Sequence, residues 1–176
     1  GVTYDNSLFV AEGGSGTILT SSDGTTWTSR TSGTTKGLRG ITYENSTFVS
    51  VGNSGTILAS SNGTTWTSIS VGDSGNSWTS VTSPTTKFLP AVTSGNNTFV
   101  AVGESGTIVR STDNGSSFST VTSPTANSLD GVTFGNNTFV AVGDNGTIVR
   151  STDNGSSFDN ATTDNSTANH LYGVTF

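Results

Sequence analysis

The 176-residue chain contains neither cysteine nor methionine. The first absence excludes disulfides, thiolate metal sites and a cysteine nucleophile. The second extends to position 1, so the chain is expected to begin after processing or to be a segment of something longer, with any signal peptide gone. Charge is also scarce, at 10% of residues. The only cations are Arg30, Lys36, Arg39, Lys87, Arg110 and Arg150, against twelve acidic residues, for a net charge of −6. That is too few and too scattered to neutralise a phosphate backbone, so nucleic acid and anionic membrane surfaces are not expected partners. No apolar run approaches the roughly 18 residues of a spanning helix, and no membrane insertion is expected. The single histidine, His170, lies in a polar stretch and reads as a surface or packing residue.

Gly, Ser, Thr and Asn fill the space left by a hydrophobic fraction of only 30%. Low charge argues against ordinary disorder, which relies on charge to stay expanded. The length suits one domain with a real core. The apolar residues fall in short regular runs, the pattern of a turn-rich all-β chain.

Those runs repeat. "STDNGSSF" stands at 111–118 and again at 151–158, and residues 96–118 and 136–158 differ at only two of 23 positions, Glu104/Asp144 and Ser105/Asn145. Starts of the form Gly/Ala-Val/Ile-Thr occur at Gly1, Gly40, Ala91, Gly131 and Gly173, spaced 39, 51, 40 and 42 residues apart. Four units result, 1–39, 40–90, 91–130 and 131–172, followed by a fifth opening strand at 173–176.

Each unit reads as four short strands. The start element is followed by an Asn-rich turn that tolerates positive φ. Next comes a continuous apolar run such as Phe99–Val102, the mark of a strand covered on both faces. A third strand ("GTIVRS") and a last hairpin complete the unit. Four strands in about 40 residues predict blades of a β-propeller, an all-β fold of four-stranded antiparallel sheets. A solenoid or sandwich is the alternative. Unit two carries an extra stretch in which "TTWTSIS" is echoed by "NSWTSVT"; it is expected to be a longer loop with a packed Trp.

The last hairpin of units three and four resembles the Asp-box, or BNR repeat, found in sialidases and in many non-enzymatic propellers. The surrounding sequence is similar to blades of photosystem II assembly factors and related secreted propellers. The resemblance implies a structural role for Asp113, Gly115 and Phe118, and for Asp153, Gly155 and Phe158. The aspartate accepts bonds from its own turn, the glycine supplies an unusual backbone angle and the aromatic ring packs beneath. In units one and two the element is one residue shorter, and Asp23-Gly24 and Asn62-Gly63 are expected to form two-residue hairpin turns.

No catalytic constellation is legible. Sialidases bind a carboxylated sugar with three arginines and use a Tyr/Glu pair; here Arg110 and Arg150 are repeat-equivalent and no such pairing is visible. Most carboxylates already have turn positions, and neither a metal nor a cofactor is expected. Calcium at the Asp/Asn-rich loop 159–165 is a weaker alternative, since EF-hand spacing is missing. Trp27, Trp66 and Trp78 are candidates for stacking on sugar rings, against the commoner role of filling space between blades. Asn-x-Ser/Thr triplets occur at Asn45, Asn62, Asn96, Asn114, Asn136, Asn145, Asn154, Asn160 and Asn165, all candidate glycosylation sites.

The start strand therefore occurs five times for four units. An unpaired strand edge is a template for another chain. The segment is cut from a larger propeller, or two copies complete one ring, or the terminal strand pairs with the next subunit in a filament. A homo-oligomer or filament is the expectation. The expected function is a non-enzymatic, extracellular or cell-surface structural or adhesive module that associates with itself. The alternative is a carbohydrate-binding propeller or a degenerate sialidase-type hydrolase.

Overall fold

The computed structural model describes residues 1–65, 81–161 and 169–176. It contains no α-helix among them, only strands and single 3-10 turns. The first sheet is β1 (Val2–Asp5), β2 (Leu8–Glu12), β3 (Ile18–Ser21) and β4 (Thr28–Arg30), antiparallel in sequence order. The second is β5 (Leu38–Glu44), β6 (Thr47–Gly52) and β7 (Ile57–Ser60), with three strands among the described residues. The third is β8 (Ala91–Gly95), β9 (Thr98–Gly103), β10 (Thr107–Ser111) and β11 (Ser119–Val121). The fourth is β12 (Leu129–Gly135), β13 (Thr138–Gly143), β14 (Ile148–Ser151) and β15 (Asp159–Asn160). The four-stranded meander expected for each unit is thus present in the first, third and fourth. Most of the extra stretch of unit two, with Trp66 and Trp78, lies outside the described residues.

Local chemistry sets these elements. The first hairpin of each sheet turns on two residues with positive φ, as at Asn96 (50°) and Asn97 (60°) or Asn136 (47°) and Asn137 (57°). Two consecutive left-handed residues make the turn whose twist matches a right-twisted hairpin. The second strand is buried along its whole length in β6 and β9, as its unbroken apolar run requires. Phe48, Phe99 and Phe139 stand at one repeat position and are fully buried. Each such ring contributes about 1.5–3 kcal/mol by burial. The Phe48 and Phe139 rings also pack on aromatics of the preceding strand, Tyr43 at 4.5 Å and Phe134 at 4.6 Å.

The sheets pack face to face, and the core lies between them rather than within any one. Val51 and Ile57 of the second sheet share a cluster with Phe99 and Ala101 of the third; Val100 and Ile108 of the third share one with Phe139 and Ala141 of the fourth. The first strands β1, β5, β8 and β12 lie beside one another in that order. Their backbones come close: a Cβ added at Gly40 would be 3.2 Å from Cα of Ala91.

Gly173–Phe176 continues this series. A Cβ at Gly131 would lie 3.0 Å from Cα of Gly173, and one at Gly135 would overlap the Phe176 ring, as one at Gly95 would overlap Phe134. Leu171 N–H donates to the Gly143 carbonyl (3.1 Å), as Leu89 N–H donates to that of Gly52 (3.1 Å). The segment occupies the place of a fifth first strand and pairs with no strand among the described residues.

Candidate functional site

The conserved shape within the repeat is the loop joining third and fourth strands. In the fourth sheet, the Asp153 carboxylate accepts from the Ser151 hydroxyl (2.7 Å), the Ser157 amide (3.0 Å) and the Ser157 hydroxyl (2.6 Å). Gly155 N–H donates to Ser151 Oγ (2.8 Å). The Ser157 hydroxyl and amide, followed by the Ser151 hydroxyl, favour the anion and hold Asp153 well below the ordinary carboxylate range. The third sheet repeats the arrangement at Asp113, where partial burial opposes the shift but the bonds from Ser117 and Ser111 outweigh it. Gly115 and Gly155 both have φ of 77°, and Phe118 and Phe158 are buried below.

The shorter loops of units one and two depart from expectation. β3 and β4 pair up to Thr20–Thr28, which leaves a seven-residue loop, 21–27, in place of a two-residue turn. Asp23 accepts from the amides of Thr25 and Thr26 (both 2.8 Å) and from the Ser21 hydroxyl. The Thr26 and Thr25 amides hold it well below the usual range. Asn62 plays the same part through Oδ1, accepting from Thr64 and Thr65. A side chain that binds its own turn competes with a tight hairpin and wins here.

The loops of the second, third and fourth sheets each dock on the preceding sheet. A Cβ at Gly155 would lie 3.0 Å from Val100, one at Gly115 3.1 Å from Val49, and one at Gly63 3.2 Å from Val10. Asn154 Nδ2 donates to Thr98 Oγ1 (2.7 Å) and to the Asn96 carbonyl (3.4 Å), and Arg110 Nε donates to the Asn154 carbonyl (2.8 Å). Asn114 Nδ2 likewise donates to the Asn45 carbonyl (3.2 Å). These stitches were not read from the sequence, although the repeat of Arg110 as Arg150 was a signal for them.

Of the candidate glycosylation sites, Asn45, Asn62, Asn96, Asn114, Asn136 and Asn154 lie in these loops and the first-hairpin turns beside them, Asn145 lies in the 3-10 turn between β13 and β14, and Asn160 lies on β15. Asn45, Asn62, Asn96, Asn114, Asn136, Asn145 and Asn160 are exposed and Asn154 is half-buried. The side-chain nitrogens of Asn114 and Asn154 are engaged across sheets, so a glycan there would replace those bonds. Asn165 lies outside the described residues. Trp27 is 38% exposed, 6.2 Å from the Phe9 ring, with its Nε1 donating to the Gly24 carbonyl.

Two groups were missed. Glu12 stands where the other units have valine; its side chain is fully buried and its carboxylate accepts from Ser50 Oγ. Burial pushes Glu12 above the usual carboxylate range. Asp130, Asp144 and His170 bring ligand atoms within 4.8 Å of one another, a set able to hold a divalent cation. His170 Nδ1 sits 2.7 Å from Asp144 Oδ1, a contact that brings these two residues together without a metal. Of the open depressions, the one of about 650 Å³ is lined by hydroxyls with Arg30 and Lys36 and has no carboxylate; another, of about 480 Å³, has one, Glu104.

No protein-family model matches the chain, and no curated protein matches it. Solved structures do. The chain superposes over 99% of its length on 51% of the computationally designed Ika8 protein, with a TM-score of 0.73 and 14% identity. The fold is a β-propeller. Further similar structures are YCF48 bound to D1 peptide (TM-score 0.64, 18% identity, 97% of this chain on 55% of that one) and an ancestral GH74 enzyme (0.69, 17%, 94% on 24%). The four sheets are therefore blades, and the chain spans about half the length of the first two of these propellers.

Proposed function

We propose that the chain is a non-enzymatic, extracellular structural or adhesive module that associates with itself. The observation that carries this reading is a set of exposed aromatic rings. Tyr4 on the first blade is 56% exposed, and Tyr172 and Phe176 beyond the fourth are 78% and 84% exposed. Large aromatic rings left in water favour a partner that covers them.

The absence of catalysis is supported by the site chemistry. Glycoside hydrolysis needs two carboxyl groups facing one pocket, and neither depression described above has two. The box aspartates are occupied by their own turns. Placement outside the cell is supported by the exposed Asn-x-Ser/Thr turns. Similar folds serve both a peptide-bound protein and an enzyme, so the fold leaves this choice to the site.

One observation favours carbohydrate binding as a second reading: half-exposed Trp27 on the blade that also carries the hydroxyl-lined depression with Arg30 and Lys36. Light scattering across a concentration series tests the first reading, which expects the mean mass to rise with concentration. A constant monomer mass, together with quenching of tryptophan fluorescence by an oligosaccharide panel, would overturn it in favour of the second.

A further inference from the structure

The fourth blade meets the connector that follows it with a set of side chains that the other blades lack. Each such junction brings together the residue before a first-strand Gly or Ala, the residue that opens a 3-10 turn, and a residue of the next connector. In the second blade these are Arg39, Asn53 and Phe88; in the third, Pro90, Glu104 and Ser128; in the fourth, Asp130, Asp144 and His170. The fold asks for no fixed residue type at these places, in contrast to Phe48, Phe99 and Phe139. Of the three sets, only the fourth consists entirely of metal ligands. Glu104/Asp144 is also one of the two changes in a 23-residue stretch that is otherwise an exact copy.

The backbone holds the three side chains together. Asp144 N–H donates to the Ser128 carbonyl (2.9 Å), two residues before Asp130. Gly146 N–H donates to the Asn169 carbonyl (2.7 Å) and Leu171 N–H to the Gly143 carbonyl (3.1 Å), so His170 is tied on both sides to the turn that carries Asp144. One ligand atom from each residue thereby lies within 4.8 Å of the other two. The His170 ring also stacks on Tyr172, with centroids 6.0 Å apart and planes 15° apart. His170 and Asp144 meet at 2.7 Å, but that contact leaves Asp130 over. Asp130 is half-buried, and no hydrogen bond supports its carboxylate among the described residues. Burial, and then the Asp144 charge, push it above its ordinary value. A divalent cation would balance both carboxylates at once, which one imidazole does not.

We propose that Asp130, Asp144 and His170 bind a divalent first-row transition ion, zinc above all. Two carboxylate oxygens and one imidazole nitrogen suit zinc, whose four-coordination three protein ligands and a water complete. The imidazole disfavours magnesium and calcium, which take oxygen donors, about six to eight of them for calcium. Ligand atoms around a tetrahedral zinc stand about 3.4 Å apart. His170 and Asp144 therefore open slightly from their contact, and Asp130 closes on them. The exposed His170 ring is free to make that adjustment by rotation of its side chain. The bound ion ties the connector to the first strand and the 3-10 turn of the fourth blade. All three ligands come from residues 130–170 of one chain, so the site stands or falls separately from self-association.

His170 is the only histidine, so its ring C–H signals in a proton NMR spectrum report on one residue. The test is a titration of zinc chloride into the chelator-treated chain, following those signals, with calorimetry giving the affinity. The expected result is a shift of the His170 signals that saturates at one ion per chain. Asp130→Asn removes a ligand charge while keeping the side chain's shape, and is expected to weaken zinc binding about tenfold or more. His170→Ala alters an exposed side chain, so folding is spared, and is expected to weaken binding by at least as much. Glu104→Gln, at the equivalent place in the third blade, leaves the affinity unchanged. His170 signals that stay in place at excess zinc would overturn the site. So would zinc binding that Asp130→Asn and His170→Ala leave unaltered, or that Glu104→Gln weakens equally. Calcium chloride binding more tightly than zinc chloride would overturn the part assigned to the imidazole.

Discussion

Arg110 Nε donates to the backbone carbonyl of Asn154 at 2.8 Å, across the junction between the third and fourth blades. The same asparagine sends its side-chain nitrogen back to Thr98 Oγ1 at 2.7 Å. One residue of a surface turn is therefore bonded to the neighbouring blade in both directions. A turn of this kind does two jobs, closing its own hairpin and fixing the angle between blades.

Asn154 also has φ of 61°, a conformation that asparagine accepts more readily than alanine. Asn154→Ala is expected to lower stability by about 1–3 kcal/mol, combining lost bonds with backbone strain. Asn154→Gly relieves the strain and keeps only the loss of bonds, so it should cost less. Urea denaturation of the three proteins checks the order; equal stability for native and alanine forms would show that the stitch contributes nothing.

The box aspartates set an acid limit. Asp23, Asp113 and Asp153 all lie below their ordinary value of 3.8 in the folded chain. Their contribution is complete above that value and is lost as pH falls toward the folded values, because the unfolded chain takes up protons first. Thermal melts between pH 6 and pH 2 should show a falling Tm, and Asp113→Asn with Asp153→Asn should flatten the fall. An unchanged slope in the double variant would contradict this assignment.

Glu12 works in the opposite direction. Its folded value is raised above 4.5 by burial, so the folded chain holds the proton more tightly than the unfolded one. Its contribution is greatest below 4.5 and declines as pH rises through the folded value. In the other blade junctions the equivalent pairs are apolar, Val51 with Ala101 and Val102 with Ala141. Glu12→Val combined with Ser50→Ala should therefore stabilise the chain at neutral pH by about 1–4 kcal/mol. Calorimetry at pH 7 checks the sign, and a loss of stability would mean that the polar pair is needed.

Gly155 combines φ of 77° with a Cβ position 3.0 Å from Val100. Gly155→Ala should cost more than about 1 kcal/mol through strain and the displaced neighbour. Substitution at Gly14, where an added Cβ meets nothing, is the control and should be close to neutral. Similar effects at the two sites would remove the claim that the box tip is a packing element.

Much of the fold was legible because the repeat states it four times. The period of about 40 residues, the Asn-rich turns and the buried Phe48, Phe99 and Phe139 positions each follow from local pattern alone. The two-residue turns expected at Asp23-Gly24 and Asn62-Gly63 failed because Asp23 and Asn62 bind amides further along the loop, which counting residues between strands does not show. The stitches of Arg110 and Asn154 depend on the approach of two blades, and a sequence carries no distance between them. Glu12 was visible as a departure from valine at its repeat position. The meeting of His170 with Asp130 and Asp144 was not visible, since it joins a connector, a strand and a turn.

The central claim is that the chain associates with itself, and the mass of the unmodified chain tests it most directly. A single chain has a mass of 17.8 kDa. A native mass spectrum at micromolar concentration is predicted to show assemblies of two or more chains. A spectrum holding only the single-chain mass, under conditions where the protein is folded, would contradict the account.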